Sequence, residues 1–250
     1  MVVAVVASAL AGLLVGSFLN VVAYRLPRGE SLVRPRSRCP QCATQLRALD
    51  NVPVVSWLVL RGRCHHCAAP VSARYPVVEA TTAALYAAVV ASQDDAVRIV
   101  LGLLLVSVLV PITLIDLDHR IIPNKITGPA ALAAVVAIAA LDRDFLVEAV
   151  IAGLAGGGFF FVAAILYPRG MGMGDVKLAG VLGLYLGRAV APAILIALVA
   201  GVAVGVAVIA RKGAVEGRKT AVPFGPFLAL GGIVAFFAGH DLVDAYLDTF

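Results

Sequence analysis

Two aspartates lie beside long apolar runs, where a charged group is costly and is usually retained for chemistry or ion transport. Asp116 ends one such run, and Asp175 opens another. Two carboxylates that share one site cannot both ionise easily, so one of them keeps its proton. The charged carboxylate can then activate water, while the protonated one polarises a peptide carbonyl. If the two residues meet, the pattern predicts an aspartyl hydrolase.

The first run contains a second acid, Asp118, two residues beyond Asp116. Removal from water makes ionisation of a carboxylate costly, and Asp116 is the one that directly follows apolar residues. This position favours Asp116 as the catalytic candidate and Asp118 as a solvated loop acid. Taken alone, Asp116 is equally well explained as a charge at a helix end.

The second aspartate has a more specific context, because Gly172 and Gly174 precede it. Glycines allow strained backbone shapes and a close approach of another chain. Asp175 is also well placed to cap a helix that starts near Val176, although capping does not require two glycines. Lys177 is most simply a cation that extends to the membrane surface, but it could also tune the acids.

All four cysteines lie in one polar segment, as Cys39-Pro40-Gln41-Cys42 and Cys64-His65-His66-Cys67. Paired Cys-x-x-Cys turns suit a tetrahedral zinc ion, because each turn directs two thiolates at one point. Two disulfides are the competing interpretation, but they are rare in the reducing cytoplasm, where this segment is placed below. His65 and His66 could replace a ligand. Four cysteines already complete a closed site, which predicts a structural zinc rather than a catalytic one.

The composition places these residues in a membrane protein. Of 250 residues, 61% are hydrophobic and 14% are charged, and the mean hydropathy is +0.99. Soluble domains average roughly 45–50% apolar and about 25% charged residues. The net charge of +5 is spread over short loops, so it gives little support for a nucleic-acid partner.

Eight apolar stretches are long enough to consider as spans, and the first contains no charge before Arg25. We interpret that first stretch as a retained span, because a signal peptide would begin with basic residues. The sequence predicts an all-α polytopic membrane protein of about eight transmembrane helices with a small zinc-ribbon-like loop domain. The predicted parts are a first helix at 1–24, a zinc loop at 25–76 and a peptidase part at 77–250. The stretches are 2–24, 77–91, 97–115, 126–141, 145–167, 176–187, 191–210 and 222–239.

The basic residues fall almost entirely on one side of this topology. With eight crossings, 17 of the 20 Lys and Arg residues lie in the loops 25–76, 116–125, 168–177 and 211–221. Basic residues mark the cytoplasmic side. The sequence therefore predicts a multi-pass protein of the cytoplasmic membrane with both termini outside the cytoplasm. The zinc loop and both aspartates are predicted at the cytoplasmic face.

Taken together and in order, these motifs resemble the type IV prepilin leader peptidases, the polytopic aspartyl proteases of the Gly-x-Gly-Asp type. The resemblance covers nearly the whole chain. Its residues are Gly16-Ser17-Phe18-Leu19-Asn20, Tyr24-Arg25-Leu26-Pro27, the two cysteine pairs, Asp50-Asn51-Val52-Pro53, Arg74-Tyr75-Pro76, Asp116-x5-Ile122-Pro123-Asn124 and Gly172-x-Gly174-Asp175-x-Lys177.

The resemblance implies that Asp116 and Asp175 are catalytic, and that the four cysteines bind zinc. Gly172, Gly174 and Lys177 would belong to the supporting motif. It also implies that a short basic leader is cleaved from type IV prepilins or pseudopilins after a glycine, while the substrate's apolar helix stays in the lipid. N-methylation of the new N-terminus with S-adenosylmethionine would be a second activity.

Three polar residues near the membrane, Asn20, Arg25 and Glu79, also match the family pattern, although anchoring of the spans explains them equally well. Two other classes of protein stay open. An ion-coupled transporter could use Asp116 and Asp175 as a proton relay, but it would favour carboxylates nearer the bilayer centre and an inverted repeat. A zinc-bearing scaffold would explain the cysteines but not the glycine-flanked aspartate.

Overall fold

The computed structural model describes residues 1–167, 171–213 and 222–249. Its regular structure is helical; the described residues form no β-strand and only two isolated β-bridges. The all-α prediction is confirmed. The helices are α1 (Val2–Arg25), the short α2 (Val55–Val59), α3 (Arg74–Ser92), α4 (Ala96–His119), α5 (Asn124–Leu141), α6 (Arg143–Leu166), α7 (Met173–Leu186), α8 (Val190–Lys212) and α9 (Gly225–Leu247).

Each of the eight predicted stretches corresponds to one of the long helices. In the described part of the chain, six segments are long and apolar enough to cross a membrane; one of them, Met173–Lys212, contains both α7 and α8, and α3 is not among the six. The chain is therefore a multi-pass membrane protein. The predicted loops at 168–175 and 211–221 fall partly outside the described residues, which omit 168–170 and 214–221.

Several helix boundaries differ from the predicted stretches, and two of them concern the aspartates. Helix α4 continues to His119, so Asp118 lies in the helix and not in a loop, although it is exposed as expected. The helix closes where Arg120 adopts a left-handed conformation and its N–H donates to the carbonyl oxygen of Asp116. Helix α7 begins at Met173, so Asp175 lies inside its first turn, and the N-cap position is occupied by Gly172.

The chain forms two compact units, residues 1–94 and 95–250. In the first unit, α1 packs against α3 through two glycines one turn apart. A Cβ atom added at Gly12 would lie 2.7 Å from Cα of Ala83, and one at Gly16 would lie 2.9 Å from Cα of Glu79. Small residues at such a spacing let two helix backbones approach closely in a membrane. The predicted division at residue 76 remains a prediction, and α3 lies within the first unit.

The polar segment between α1 and α3 buries very little. Between residues 26 and 73, the buried residues are Cys39, Pro53, Gly62 and Cys64. A segment with so small a core needs another source of stability, because ordering each residue costs roughly 1–2 kcal/mol of backbone entropy. Two of these four residues are cysteines, which indicates where that stability comes from.

In the second unit, glycines again set the closest approaches between helices. Gly157 of α6 lies against Gly180 of α7, where an added Cβ would be 3.4 Å from Cα of Gly180. A side chain at Gly183 of α7 would collide with the backbone of Ala152. Gly187 directly follows the last residue of α7, and its φ of +56° would strain a residue that has a side chain. The backbone N–H of the next residue, Arg188, donates to the Glu148 carboxylate of α6 at 2.8 Å.

Helix α7 is thus fixed along its length, and its buried side faces α4 and α9. A Cβ atom at Gly232 of α9 would lie 2.6 Å from Leu182 of α7 and 3.3 Å from Leu109 of α4. On the α5 side, the Tyr185 hydroxyl donates to the Ala130 carbonyl at 3.0 Å. These contacts place the first turn of α7 and the last turn of α4 at the same end of the unit.

We expect Gly16→Ala to destabilise the protein by about 1–3 kcal/mol, because the added methyl group must force α3 away from α1. Gly205→Ala is the control, since a Cβ atom there meets nothing within 4 Å. Thermal unfolding in detergent measures the difference. Equal stability of the two variants would contradict the tight packing of α1 on α3.

Candidate active site

Asp116 lies in the last turns of α4, and its side chain is only 5% exposed. Its Oδ2 atom accepts a hydrogen bond of 2.8 Å from the backbone N–H of Gly225, the first residue of α9. The N-terminus of a helix presents unpaired N–H groups and a partial positive charge, which suit a carboxylate. The start of α9 therefore fixes the orientation of the Asp116 side chain.

Gly225 was not among the residues predicted for the site. A Cβ atom at this position would lie 2.7 Å from Oδ2 of Asp116, so a side chain here would displace the carboxylate. The sequence Pro223-Phe224-Gly225-Pro226 before an apolar run indicates a helix start. It carries no signal that connects this helix start to an aspartate 109 residues earlier.

Asp175 lies in the first turn of α7 and is partly buried. Gly172, which is exposed, precedes it as the N-cap residue. A Cβ atom at Gly172 would have two heavy atoms within 4 Å, Oδ2 of Asp175 at 3.3 Å and the Gly174 backbone nitrogen at 3.9 Å. A side chain at this position would therefore press against the Asp175 carboxylate, and glycine avoids that contact.

The structure brings the two aspartate motifs together. Gly174 packs on Ile122, where an added Cβ would lie 2.9 Å from the Cβ of Ile122. The Lys177 Nζ atom donates to Oδ1 of Asn124 at 2.8 Å. The Asp116 side chain is also close enough to act electrostatically on that of Asp175. The loop that follows Asp116 and the turn that contains Asp175 therefore form one site.

Lys177 makes a specific hydrogen bond, which a simple anchor at the membrane surface would not require. Its hydrogen bond to Asn124 joins α7 to the start of α5 and helps hold the two motifs in register. Asn124 was part of the resemblance but had no assigned task. Neither residue would have been paired from the sequence alone, because 53 positions separate them.

The four cysteines converge in the first unit, with sulfur atoms all within 4.8 Å of one another. The Sγ atoms of Cys39 and Cys67 are 3.8 Å apart. A tetrahedral zinc ion with Zn–S bonds of about 2.3 Å requires sulfur atoms about 3.8 Å apart, so the arrangement fits such an ion. The cluster could therefore hold a metal.

Both cysteine pairs use the same backbone turn. The residue after each pair, Ala43 or Ala68, has φ of +56°, and its N–H donates to the carbonyl oxygen of the first cysteine, Cys39 or Cys64. An isolated β-bridge flanks each turn. This repetition directs all four sulfur atoms to one point. His65 and His66 are not part of the cluster.

Hydrogen bonds prepare two of the thiols to lose their protons. The side chain and backbone of Thr44 lower the pKa of the Cys42 thiol to about 6. Backbone groups of Cys67 and His66 lower the pKa of the Cys64 thiol. Burial and hydrogen bonds with the other three thiols instead raise the pKa of the Cys67 thiol to about 11. Because thiolates and not thiols bind zinc, the local contacts favour metal binding at Cys42 and Cys64.

The three other polar residues of the family pattern all hold the local backbone in place. Asn20 donates to the carbonyl oxygens of Gly16 and Tyr75, and Arg25 donates to the carbonyl oxygen of Ser31 at 2.9 Å. The Glu79 carboxylate accepts the N–H of Val54 at 2.7 Å. These buried side chains tie the ends of α1 and α3 to the zinc loop.

Comparison with known proteins decides the family. Residues 10–93 match the Bacterial Peptidase A24 N-terminal domain, and residues 103–208 match the Type IV leader peptidase family. A protein of Aeromonas hydrophila named prepilin leader peptidase/N-methyltransferase is 36% identical over 95% of this chain and 92% of its own length. This chain belongs to the type IV leader peptidase family.

Two further relatives carry the same name. The protein of Pseudomonas aeruginosa is 34% identical over 97% of this chain and 93% of its own length. The protein of Myxococcus xanthus is 40% identical over 81% of this chain and 62% of its own length. No solved structure matches this member of the family significantly. The alternative of an ion-coupled transporter finds no support in these matches.

We expect Gly225→Ala to lower the turnover rate by roughly 10- to 100-fold, because the new methyl group displaces the Asp116 carboxylate. The matched control is Gly158→Ala, where an added Cβ meets nothing within 4 Å. Peptidase kinetics in detergent, with thermal unfolding alongside, measure the effect. A fall in stability without a fall in kcat would show that Gly225 only packs α9 and does not position Asp116.

Proposed function

We propose that this protein is a membrane-embedded aspartic endopeptidase that removes the short basic leader from type IV prepilins or pseudopilins after a glycine. The observation that carries the proposal is the meeting of the Asp116 and Asp175 motifs at one end of the helices of the second unit. Membership of the type IV leader peptidase family supports the same activity. We assign catalysis to Asp116 and Asp175.

The chemistry follows from two carboxylates that share one proton. The charged carboxylate takes a proton from water, and the resulting hydroxide attacks the carbonyl carbon of the scissile peptide bond. The protonated carboxyl group donates to the carbonyl oxygen as the tetrahedral intermediate forms. Proton transfer to the amide nitrogen then allows the C–N bond to break. The Gly225 N–H keeps one oxygen of Asp116 fixed while the other remains available for this exchange.

We propose that the substrate reaches this pair past Gly172. A peptide backbone must come within hydrogen-bond distance of both carboxylates for this reaction. Because Gly172 is exposed and has no side chain, an extended backbone can lie next to Oδ2 of Asp175. Gly174 has a different task, since its packing on Ile122 holds the two motifs together.

The orientation in the membrane follows from the distribution of basic residues. We propose that the protein lies in the cytoplasmic, or inner, membrane with both termini outside the cytoplasm. Placement of 17 of 20 Lys and Arg residues on one side supports a cytoplasmic position for the zinc loop and for the aspartates. The aspartates would then meet a basic leader on the side where the substrate is synthesised.

We propose zinc as the metal of the four-cysteine cluster, with a structural task. Four sulfur ligands favour zinc over calcium or magnesium, which prefer oxygen. Cys39, Cys42, Cys64 and Cys67 would hold the ion, and bound zinc would supply the cohesion that the sparse core of this loop does not. A site closed by four protein ligands has no open position for substrate.

We propose methylation of the newly exposed N-terminus as a second activity, with S-adenosylmethionine as the methyl donor and a substrate of the reaction. The names of the relatives support this activity. The transfer moves a methyl group from the sulfonium ion to the α-amino nitrogen of the cleaved protein, which then loses a proton. Cleavage must come first, because this nitrogen belongs to a peptide bond beforehand.

We expect Asp116→Asn and Asp175→Asn each to reduce leader removal by roughly 10³-fold or more, because an amide can neither accept the proton of water nor share one with its partner. Asp118→Asn is the matched control, since Asp118 is exposed on the same turn as Asp116. A gel shift of a prepilin, with transfer of a labelled methyl group from S-adenosylmethionine, measures both activities. Normal processing by either variant would refute the catalytic assignment.

We expect the purified protein to contain about one zinc ion per chain, and Cys64→Ser to lose it, because three sulfur ligands hold the ion less firmly. His65→Ala should retain the metal, since His65 is outside the cluster. Mass spectrometry measures the zinc content, and limited proteolysis reports the order of the loop. Leader removal should persist in Cys64→Ser wherever the protein still folds. A folded, metal-free variant that no longer cleaves would instead argue for a direct catalytic task of the loop.

A further inference from the structure

A groove of about 500 Å³ lies on the second unit between α5, α6 and α7. Its size falls within the range of roughly 300–1,000 Å³ that is typical of ligand pockets. Most of its wall is apolar and contains several small residues. The walls include Gly128 and Ala131 of α5, Gly153 and Leu154 of α6, and Gly180 and Leu184 of α7.

One end of the groove lies beside the residues that join the two aspartate motifs. Asn124 and Lys177 line this end, and the hydrogen bond between them is the one that joins the two aspartate motifs. Asn124 belongs to the loop that packs on Gly174 through Ile122. The groove is thus continuous with the residues that position Asp175, while its remaining length lies along membrane-spanning helices.

The groove walls resemble the surfaces on which helices pack elsewhere in this protein. Gly12 and Gly16 allow α3 to pack closely on α1. In the same way, Gly157 and Gly180 allow α7 to pack closely on α6. Gly128 presents the same kind of smooth surface, but a Cβ atom there meets no atom of the described residues within 4 Å. Small residues promote close contact between helix backbones in lipid, so this surface suits another apolar helix.

We propose that this groove holds the apolar helix of the substrate, the segment that follows the scissile bond. The inference rests on the proposed peptidase function. The occupant must be apolar, must reside in the membrane and must lead to the aspartates, and the helix next to the cleavage site has all three properties.

The placement of the residues on α7 defines the route from groove to aspartates. Lys177 and Asp175 are two residues apart, which is about 200° around a helix. Lys177 faces the groove, so Asp175 faces away from it, towards the side of α7 that packs on α4 and α9. The extended chain that carries the scissile bond must therefore pass over the start of α7. Gly172, the exposed N-cap residue of α7, lies on this route.

The test fills the groove without touching the aspartates. We expect Gly128→Leu to lower the cleavage of a full-length prepilin in membranes by about tenfold or more. The apolar helix of the prepilin would no longer fit the groove, so the scissile bond would be misplaced. Cleavage of a short peptide that spans the scissile bond but lacks the apolar helix should be unchanged. Gly158→Leu and Gly205→Leu are matched controls, since these glycines also have open space but do not line the groove.

A photo-crosslinking amino acid at position 128 identifies the occupant directly. In an Asp175→Asn background, which should bind but not cleave, we expect crosslinks to the apolar helix of the prepilin, and none from the same probe at position 158. Crosslinks only to lipid or to a second copy of this chain would overturn the proposal. Normal cleavage of full-length prepilin by Gly128→Leu would also overturn it, as would equal losses on both substrates. Failure of the unmodified protein to cleave any prepilin would refute the proposed function itself.

Discussion

The candidate active site depends on the close approach of two helix backbones, α6 and α7. Helix α7 has only 14 residues and carries Asp175 in its first turn. Gly157, Gly180 and Gly183 remove the side chains that would hold it away from α6, and the contact of Glu148 with the N–H of Arg188 fixes its far end. A helix that is seated in this way cannot easily rotate or slide, because its packing leaves little free space. Contacts along the whole of α7 therefore determine the position of Asp175.

Asp116 is positioned by a different principle. Its helix, α4, ends just beyond it, and a single N–H at the start of α9 holds its carboxylate. One aspartate is thus placed by the packing of backbones, and the other by a hydrogen bond at a helix terminus. The loop at Ile122 and Asn124 joins the two, because it packs on Gly174 and accepts the hydrogen bond of Lys177.

Sequence patterns indicated the residues that we propose to carry chemistry, but they did not indicate the residues that position them. Hydropathy predicted all eight long helices, since the cost of burying polar backbone in lipid makes span helices easy to recognise. The spacing of the cysteines predicted a single cluster of four. Gly225 could not be found, because its importance comes from a contact between residues that are 109 positions apart. The predicted end of α4 and the predicted start of α7 were wrong by a few residues for a related reason. Each boundary is set by local backbone geometry, at Arg120 and at Gly172, and the pattern of apolar residues does not indicate that geometry.

The shortness of α7 has a consequence for the supply of water. Fourteen residues rise about 21 Å along a helix, against about 30 Å for the hydrocarbon core of a bilayer. Local thinning of the bilayer is one way to accommodate such hydrophobic mismatch. Thinning at the Asp175 end would bring the aqueous interface closer to the carboxylates. A protease needs one water molecule for every peptide bond that it hydrolyses, and a helix too short for its membrane would give that water a path.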